Sequence, residues 1–543
     1  MLGRSAQVPL SLATKSSCTQ SKCLNIWQKC GFASQSKTPD RPINSTVTPF
    51  PPLSKPLPNL PTPIYSTAKK EDQETKITTL SNGLKIATED YFGQFCTVGV
   101  LINSGPRYEV AYPSGISHFL EKLAFNSTKN FESRDHILLA MEKHEGIFDC
   151  QASRDTFIYA ASAERKGLGP VTQVLADIVL RPQITEDELN LARQTIEFET
   201  DSLLTRPEQE PLLLDMIHAA AYRDNTLGLP KICPEGNVNK IDRQILFTYL
   251  KNHYTPNRMV IAGVGVEHER LVEAVQKYFV DEKPIWEEDP TLIIPGRTEN
   301  LVDDSVAQYT GGLIVKEGSM PVHPESSGIP RLSHIVIGLE GCSHQDPDFI
   351  AMCVLNTMMG GGGSFSAGGP GKGMYTKLYT NVLNRYQWMF SATAYNHAYS
   401  DTGLFCIHAS SPEVRVAEMT AVIVHELVGM AGSTTTTELE RAKKQLQSLL
   451  LMNLEQRPVV FEDIGRQVLA TGFRHRPEYF IQAIKNITKD DIVRVALRLR
   501  KSPPSVAARG LVSGVPALQD IQAGLLDAKG AIPGSRSRLS LNI

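Results

Sequence analysis

Glu188-Leu189-Asn190-Leu191-Ala192-Arg193, with Arg206-Pro207 after it, is answered later in the chain by Glu438-Leu439-Glu440-Arg441-Ala442-Lys443, with Arg457-Pro458 after it. The offset is 250 residues at the start and 251 at the Arg-Pro. A second pair, Ile241 to Val266 and Ile487 to Val512, shares a helical pattern, then a proline, then a short apolar strand, at an offset of 246. Glu, Leu and Arg recur in unrelated helices, so one match would decide little. Two ordered matches at nearly one offset read as an internal duplication. The strand and helix patterns agree. Ile77 to Ala87 reads as two short strands about Ser81-Asn82-Gly83, a hairpin signal. Thr97 to Asn103 is an apolar strand with a helix from about Ser114, and His334 to Leu339 opens the other half, with a helix from about Asp346.

Around the repeat, composition sets bounds. A chain of 543 residues allows roughly two to four domains at about 150 residues each. With 55 basic against 58 acidic residues the net charge is −3, leaving no basic excess for nucleic acid. No apolar run is long enough for a membrane-spanning helix. Nine cysteines without a CxxC pair exclude a disulfide scaffold or a zinc ribbon. The first acidic residue is Asp40, whereas Arg4, Lys15, Lys22, Lys29 and Lys37 precede it among many Ser and Thr. Residues 1–37 therefore read as a mitochondrial transit peptide, whose removal would take the chain to about −8. Nine prolines between Pro39 and Pro63 make 38–74 an extended linker. Residues 75–285 then form a first domain, 286–328 a polar interdomain linker, and 329–543 a second domain.

Two stretches carry chemistry. In Gly115-Ile116-Ser117-His118-Phe119-Leu120-Glu121-Lys122, positions 118, 121 and 122 share one helical face. An inverted zinc motif, HxxEH, would use the first and last as imidazole ligands and the carboxylate between them as the base for a zinc-bound water. Here the last is Lys122, an ammonium with no lone pair to give a metal. Taken on residues alone, the segment is an ordinary amphipathic helix with a polar His-Glu-Lys face. The second stretch, residues 360–373, has eight glycines in fourteen positions. It fails both GxxxxGK[ST] and GxGxxG, and no strand pattern runs into it, so it is not a phosphate loop. It reads as a hinge or as a flap whose bare backbone lies against an extended peptide.

The His118 segment resembles the signature of the pitrilysin and insulinase family of zinc peptidases. That family takes a third ligand, a glutamate, after 76 further residues; counting from Lys122 lands on Glu199. The equivalent position in the second half is Leu449. The glycine stretch with Met374-Tyr375-Thr376-Lys377-Leu378-Tyr379 is similar to the glycine-rich loop of the family's non-catalytic, alpha-type subunits. Tyr254-Thr255-Pro256, Met259 to Gly265, Tyr309-Thr310-Gly311-Gly312 and Tyr399 to Phe405 agree, so the resemblance covers roughly 75 to 510. It implies an α+β fold of two homologous α/β-sandwich domains with mixed, largely antiparallel sheets backed by helices. It implies no catalytic residue and no metal in this chain, with His118, Glu121, Lys122 and Glu199 a degenerate motif and Lys122 in the metal's place, paired with Glu121 or Glu199. Substrate binding falls to Gly360, Gly361, Gly362, Gly363, Ser364, Phe365, Ser366, Gly368, Gly369, Gly371, Lys372 and Gly373. The implied partner is a beta subunit with an intact HxxEH and its zinc, the implied ligands are basic presequences of imported precursors, and the implied place is the mitochondrial matrix. The alternative is a structural core protein of respiratory cytochrome reductase on the inner membrane, or one protein with both roles. A self-sufficient peptidase using His118 and Glu199 is chemically poor, because two protein ligands hold zinc weakly.

Overall fold

The computed structural model describes residues 74–296, 302–321, 330–363, 374–432 and 434–534. The segments expected as transit peptide (1–37) and proline-rich linker (38–74, all but its last residue) lie outside the described residues, as do 297–301 and 322–328 of the interdomain linker. Strands β1 (Lys76–Thr79) and β2 (Lys85–Glu89) pair antiparallel about Ser81-Asn82-Gly83. Asn82 accepts from the Leu84 N–H (3.1 Å), and Gly83 holds φ +91°, a left-handed conformation that a side chain would strain. With β3 (Phe95–Ile102), β4 (Ile147–Ala152), β5 (Phe157–Glu164) and β6 (Met259–Val264) they make a sheet ordered β1-β2-β6-β3-β5-β4. Only β2 and β6 run parallel.

The second half repeats this plan. β7 (Gly312–Glu317), β8 (Leu332–Glu340), β9 (Gly361–Gly363), β10 (Ser391–Ala398), β11 (Gly403–Pro412) and β12 (Ser505–Gly510) are ordered β7-β12-β8-β11-β10-β9. The run β2-β6-β3-β5-β4 corresponds to β7-β12-β8-β11-β10, down to the one parallel pair, here β7 with β12. The two sheets differ at their ends: β1 is an added edge in the first, β9 an added edge in the second. The sequence repeat now has a physical meaning. Thr185 with Glu188 and Thr435 with Glu438 form reciprocal capping boxes that start helices Glu186–Thr205 and Thr436–Asn453. Leu189, Ala192 and Ile196 are buried on the first helix, and Leu439, Ala442 and Leu446 at the same offset on the second.

Each sheet is apolar on both faces. Along β3, Val98, Val100 and Ile102 face one core and Leu101 the other; along β8, Ile335, Ile337 and Leu339 face one core and Val336 the other. On one side each sheet is covered by its own half: Leu168–Leu180 packs on β3 and β5, and Val416–Gly429 packs on β8 and β11. On the other side the halves exchange helices. Helix Glu210–Tyr222 of the first half lays Leu213, Met216 and Ile217 against Val336, Leu404, Cys406 and Ala507 of the second sheet. Helix Arg457–Thr471 of the second half lays Val460, Phe461, Ile464 and Val468 against Leu101, Val260, Ala262 and Val264 of the first. Gly465 permits the close approach, since a Cβ there would collide with the Leu101 side chain.

Buried charges lock the exchange. Arg107 of the first half forks onto both carboxylate oxygens of Asp401 in the second (2.7 Å to Oδ1), and Asp401 also accepts from the Ala307 N–H (2.7 Å). Arg474 of the second half pairs with Glu89 of the first. Described residues after Val512 also join the core. Helix Leu518–Leu526 buries Ile521 and Leu525 with Ile532 in the second half's core, and Arg500 donates to the Leu525 carbonyl (2.8 Å).

Phe461→Ala should therefore unsettle the half in which it does not reside. Deleting a buried phenylalanine costs about 3–5 kcal/mol, and Phe461 is 2% exposed. Urea unfolding followed by hydrogen exchange should show lowered protection in β3 and β6; an effect confined to residues of the second half would contradict the exchange.

Candidate functional site

The degenerate motif is held by a carboxylate just upstream of its helix. Helix Ile116–Leu123 starts at Gly115, in the left-handed region at φ +119°. Its first amides are received by Glu109, which accepts from the Gly115 N–H, the Ser117 N–H and the Ser117 hydroxyl, each at 2.6 Å. Full burial pushes the Glu109 carboxyl up to about 7, against those three donors. Seated there, the helix buries Ile116, Phe119, Leu120 and Leu123 and turns His118, Glu121 and Lys122 to its other side. Helix Glu186–Thr205 packs against it and brings Glu199.

Three of the four residues meet at one oxygen. Glu199 Oε2 lies 3.2 Å from His118 Nε2 and 2.6 Å from Lys122 Nζ. The Cys233 N–H points at His118 Nδ1 at 3.2 Å, so Nδ1 accepts and the ring proton sits on Nε2, donating to Glu199. Glu199 is held down to about 2, chiefly by the hydrogen bond from His118 and then by Lys122, against partial burial. Glu121 is turned elsewhere: its Oε2 accepts from the Ala152 N–H at 3.3 Å, at the end of β4. Of the two partners open to Lys122 from sequence, the structure gives Glu199.

This set does not fit a zinc ion. A tetrahedral site needs at least three ligand lone pairs converging on one point. Here the third position is an ammonium, and the imidazole nitrogen that would face the metal already carries a proton. Among the described residues no group of three or more His, Cys, Asp or Glu is arranged to hold a metal. Beside the motif opens a cleft of about 370 Å³, lined by Glu121, Lys122, Asp149 and Cys150 and by the stacked rings of Phe125 and Phe148, 4.1 Å apart. The second half keeps no counterpart: Leu449 stands on helix Thr436–Asn453, and helix Phe349–Met359 carries no Asp, Glu, His or Lys.

The glycine stretch belongs to the other sheet. Gly360 caps helix Phe349–Met359 at φ +54°, and Gly361–Gly363 form β9, paired with β10 in the register Gly361↔Thr393, Gly362↔Ala392, Gly363↔Ser391. The sequence reading has a loop here, running from helix to helix. It missed the strand because side-chain alternation, the usual sign of a strand, is absent where there are no side chains. Gly361, at φ +102°, lies so close to the Ala392 carbonyl that a Cβ would collide with it. Ser364, Phe365, Ser366, Gly368, Gly369, Gly371, Lys372 and Gly373 lie outside the described residues. Past them runs a π-helical segment, Leu378–Leu383. Two residues that the sequence did not single out tie its approach: Thr376 and Arg441, whose guanidinium donates to the Tyr375 carbonyl at 2.8 Å.

Comparison with known proteins follows the same division. The model of the insulinase family, peptidase family M16, matches residues 85–235, and that of the M16 inactive domain matches 240–446. The chain is 54% identical to a mitochondrial-processing peptidase subunit alpha of Bos taurus, over 89% of this chain and 91% of that protein. It is 53% identical to the Homo sapiens protein of that name, with the same coverage, and 36% identical to that of Neurospora crassa, over 82% and 86%. Among solved structures, a chain of complex III2 from Candida albicans, with Inz-5 bound, superposes with a TM-score of 0.65 at 20% identity, over 82% of this chain and 98% of that one. At that identity the likeness shows the fold alone.

The purified chain, equilibrated with zinc and desalted, should keep less than about 0.1 zinc per chain, as two protein ligands and an ammonium allow. Metal analysis near one zinc per chain would contradict the geometry.

Proposed function

The chain belongs to the insulinase family of peptidases, M16, and from that premise we propose that it is the non-catalytic, substrate-recognition alpha subunit of a mitochondrial processing peptidase. The observation that carries the non-catalytic half of this reading is Lys122, its ammonium 2.6 Å from Glu199 where the family pattern has a second histidine. The chemistry then falls to a beta subunit with an intact HxxEH, whose zinc supplies the activated water. This chain contributes binding. Basic, amphipathic presequences of imported precursors suit a chain whose charge is near −8 once residues 1–37 are removed. The glycine-rich stretch from Gly360 to Gly373 offers them backbone that carries no side chain at eight of its fourteen positions. In this reading residues 1–37 direct import to the matrix, 38–74 are a linker, and no cofactor or nucleic acid is bound; of the span 286–328 read as an interdomain linker, residues 312–317 form β7 of the second sheet.

Relatives at 36–54% identity that carry the alpha-subunit name support this reading over the core-protein alternative. The complex III2 likeness, at 20% identity, supports only a shared architecture. Among the described residues no helix is long and apolar enough to cross a membrane.

Replacing residues 364–373 by a short Gly-Ser linker leaves β9 intact and removes the rest of the stretch. The heterodimer with the beta subunit should still form, while its affinity for a fluorescent presequence peptide should fall by about tenfold or more, or about 1.4 kcal/mol. Unchanged affinity would overturn the recognition role.

A further inference from the structure

The glycine-rich stretch enters the second sheet at Gly361, and the chain is tied back to that residue fifteen positions later, at Thr376. We infer that Thr376 is a positioning residue for presequence binding, holding the two roots of that stretch together; the inference rests on the recognition role proposed above. Thr376 is 9% exposed, and its Oγ1 accepts from the Gly361 N–H at 3.2 Å. Its methyl and hydroxyl fill the space that a side chain at Gly360 would need. Its own carbonyl accepts from the Thr380 N–H (2.9 Å) and hydroxyl (3.1 Å), so the residue is also the first rung of the helical turn that follows. One side chain thus joins a strand root to a helix root.

Each root has a second anchor. Gly360 O accepts from the Ala394 N–H at 2.9 Å, continuing the β9–β10 pairing by one rung. Tyr375 O accepts from Arg441 at 2.8 Å, and the guanidinium sits 5.7 Å from the centre of the Tyr375 ring. Arg441 is solvent-exposed, so this tie is weaker than the buried one. Fixing both ends of a stretch removes part of the chain entropy that binding an extended peptide must otherwise remove. The contribution is to substrate affinity and not to the chemical step, because the reacting atoms are held elsewhere.

Thr376→Val keeps the shape and removes the acceptor. In the heterodimer it should raise KM for a presequence peptide by about three- to tenfold, the span expected for one lost hydrogen bond, with kcat within about twofold. Thr376→Ser, which restores the hydroxyl, should bring KM back toward that of the unaltered chain. The same assay on the chain lacking residues 364–373 separates two failures. If that variant raises KM and Thr376→Val does not, the positioning role is wrong and the recognition role stands; if neither raises KM, the recognition role itself has failed. A Thr376→Ser enzyme as impaired as Thr376→Val would also overturn the inference, since the methyl packing and not the hydroxyl would then matter. Should Thr376→Val not assemble, Thr376→Ala is compared with Thr376→Ser in the same assay, and equal KM values for the two would overturn the inference equally.

Discussion

A sheet that is apolar on both faces has to be covered twice, and each half of this chain covers its own sheet on one side. That constraint organises the molecule. The second face of each sheet is closed by the other half, through Glu210–Tyr222 in one direction and Arg457–Thr471 in the other. The apolar area so removed from water is the main contribution to holding the halves together. Two buried arginine pairs, Arg107 forked onto Asp401 and Arg474 held by Glu89 of the first half and Asp463 of its own, add registry: removing either arginine would leave a carboxylate of the other half buried without its cation. Duplication produced two similar units, and the exchange made them one folding body.

Within that frame the halves have diverged at the same structural position. In the first, helix Ile116–Leu123 and helix Glu186–Thr205 still bring His118 and Glu199 within hydrogen-bonding distance, with an ammonium as the counter-charge where the family pattern supplies a second histidine. An ammonium satisfies Glu199 electrostatically, keeping it ionised, yet offers no open coordination position and no bound water. In the second, Leu449 stands where the first half has Glu199, helix Phe349–Met359 carries no Asp, Glu, His or Lys, and β9 is an edge strand with no counterpart in the first half. The first half joins His118 and Glu199 to an ammonium; the second carries an edge strand made of glycine backbone.

Much of this was legible in the sequence. The 250-residue repeat reads true because it records capping boxes and buried faces, Thr185 and Glu188 with Leu189 and Ala192 against Thr435 and Glu438 with Leu439 and Ala442. The Asn82-Gly83 turn was legible because only a few residue types tolerate its dihedral angles. What stayed hidden depends on residues distant in the chain. Val460, Phe461, Ile464 and Val468 announce a buried face without saying which sheet it will cover. Nothing in the neighbourhood of residue 118 reveals that an amide at Cys233 decides which nitrogen of His118 carries the proton. β9 was hidden because glycine runs give no periodicity to read.

The most direct measurement is cleavage of a presequence-bearing precursor by the purified chain alone and during titration with a zinc-loaded beta subunit. The account predicts no cleavage by the chain alone and a rate that rises to saturation at one beta subunit per chain. Cleavage by the chain alone that a chelator abolishes would contradict it.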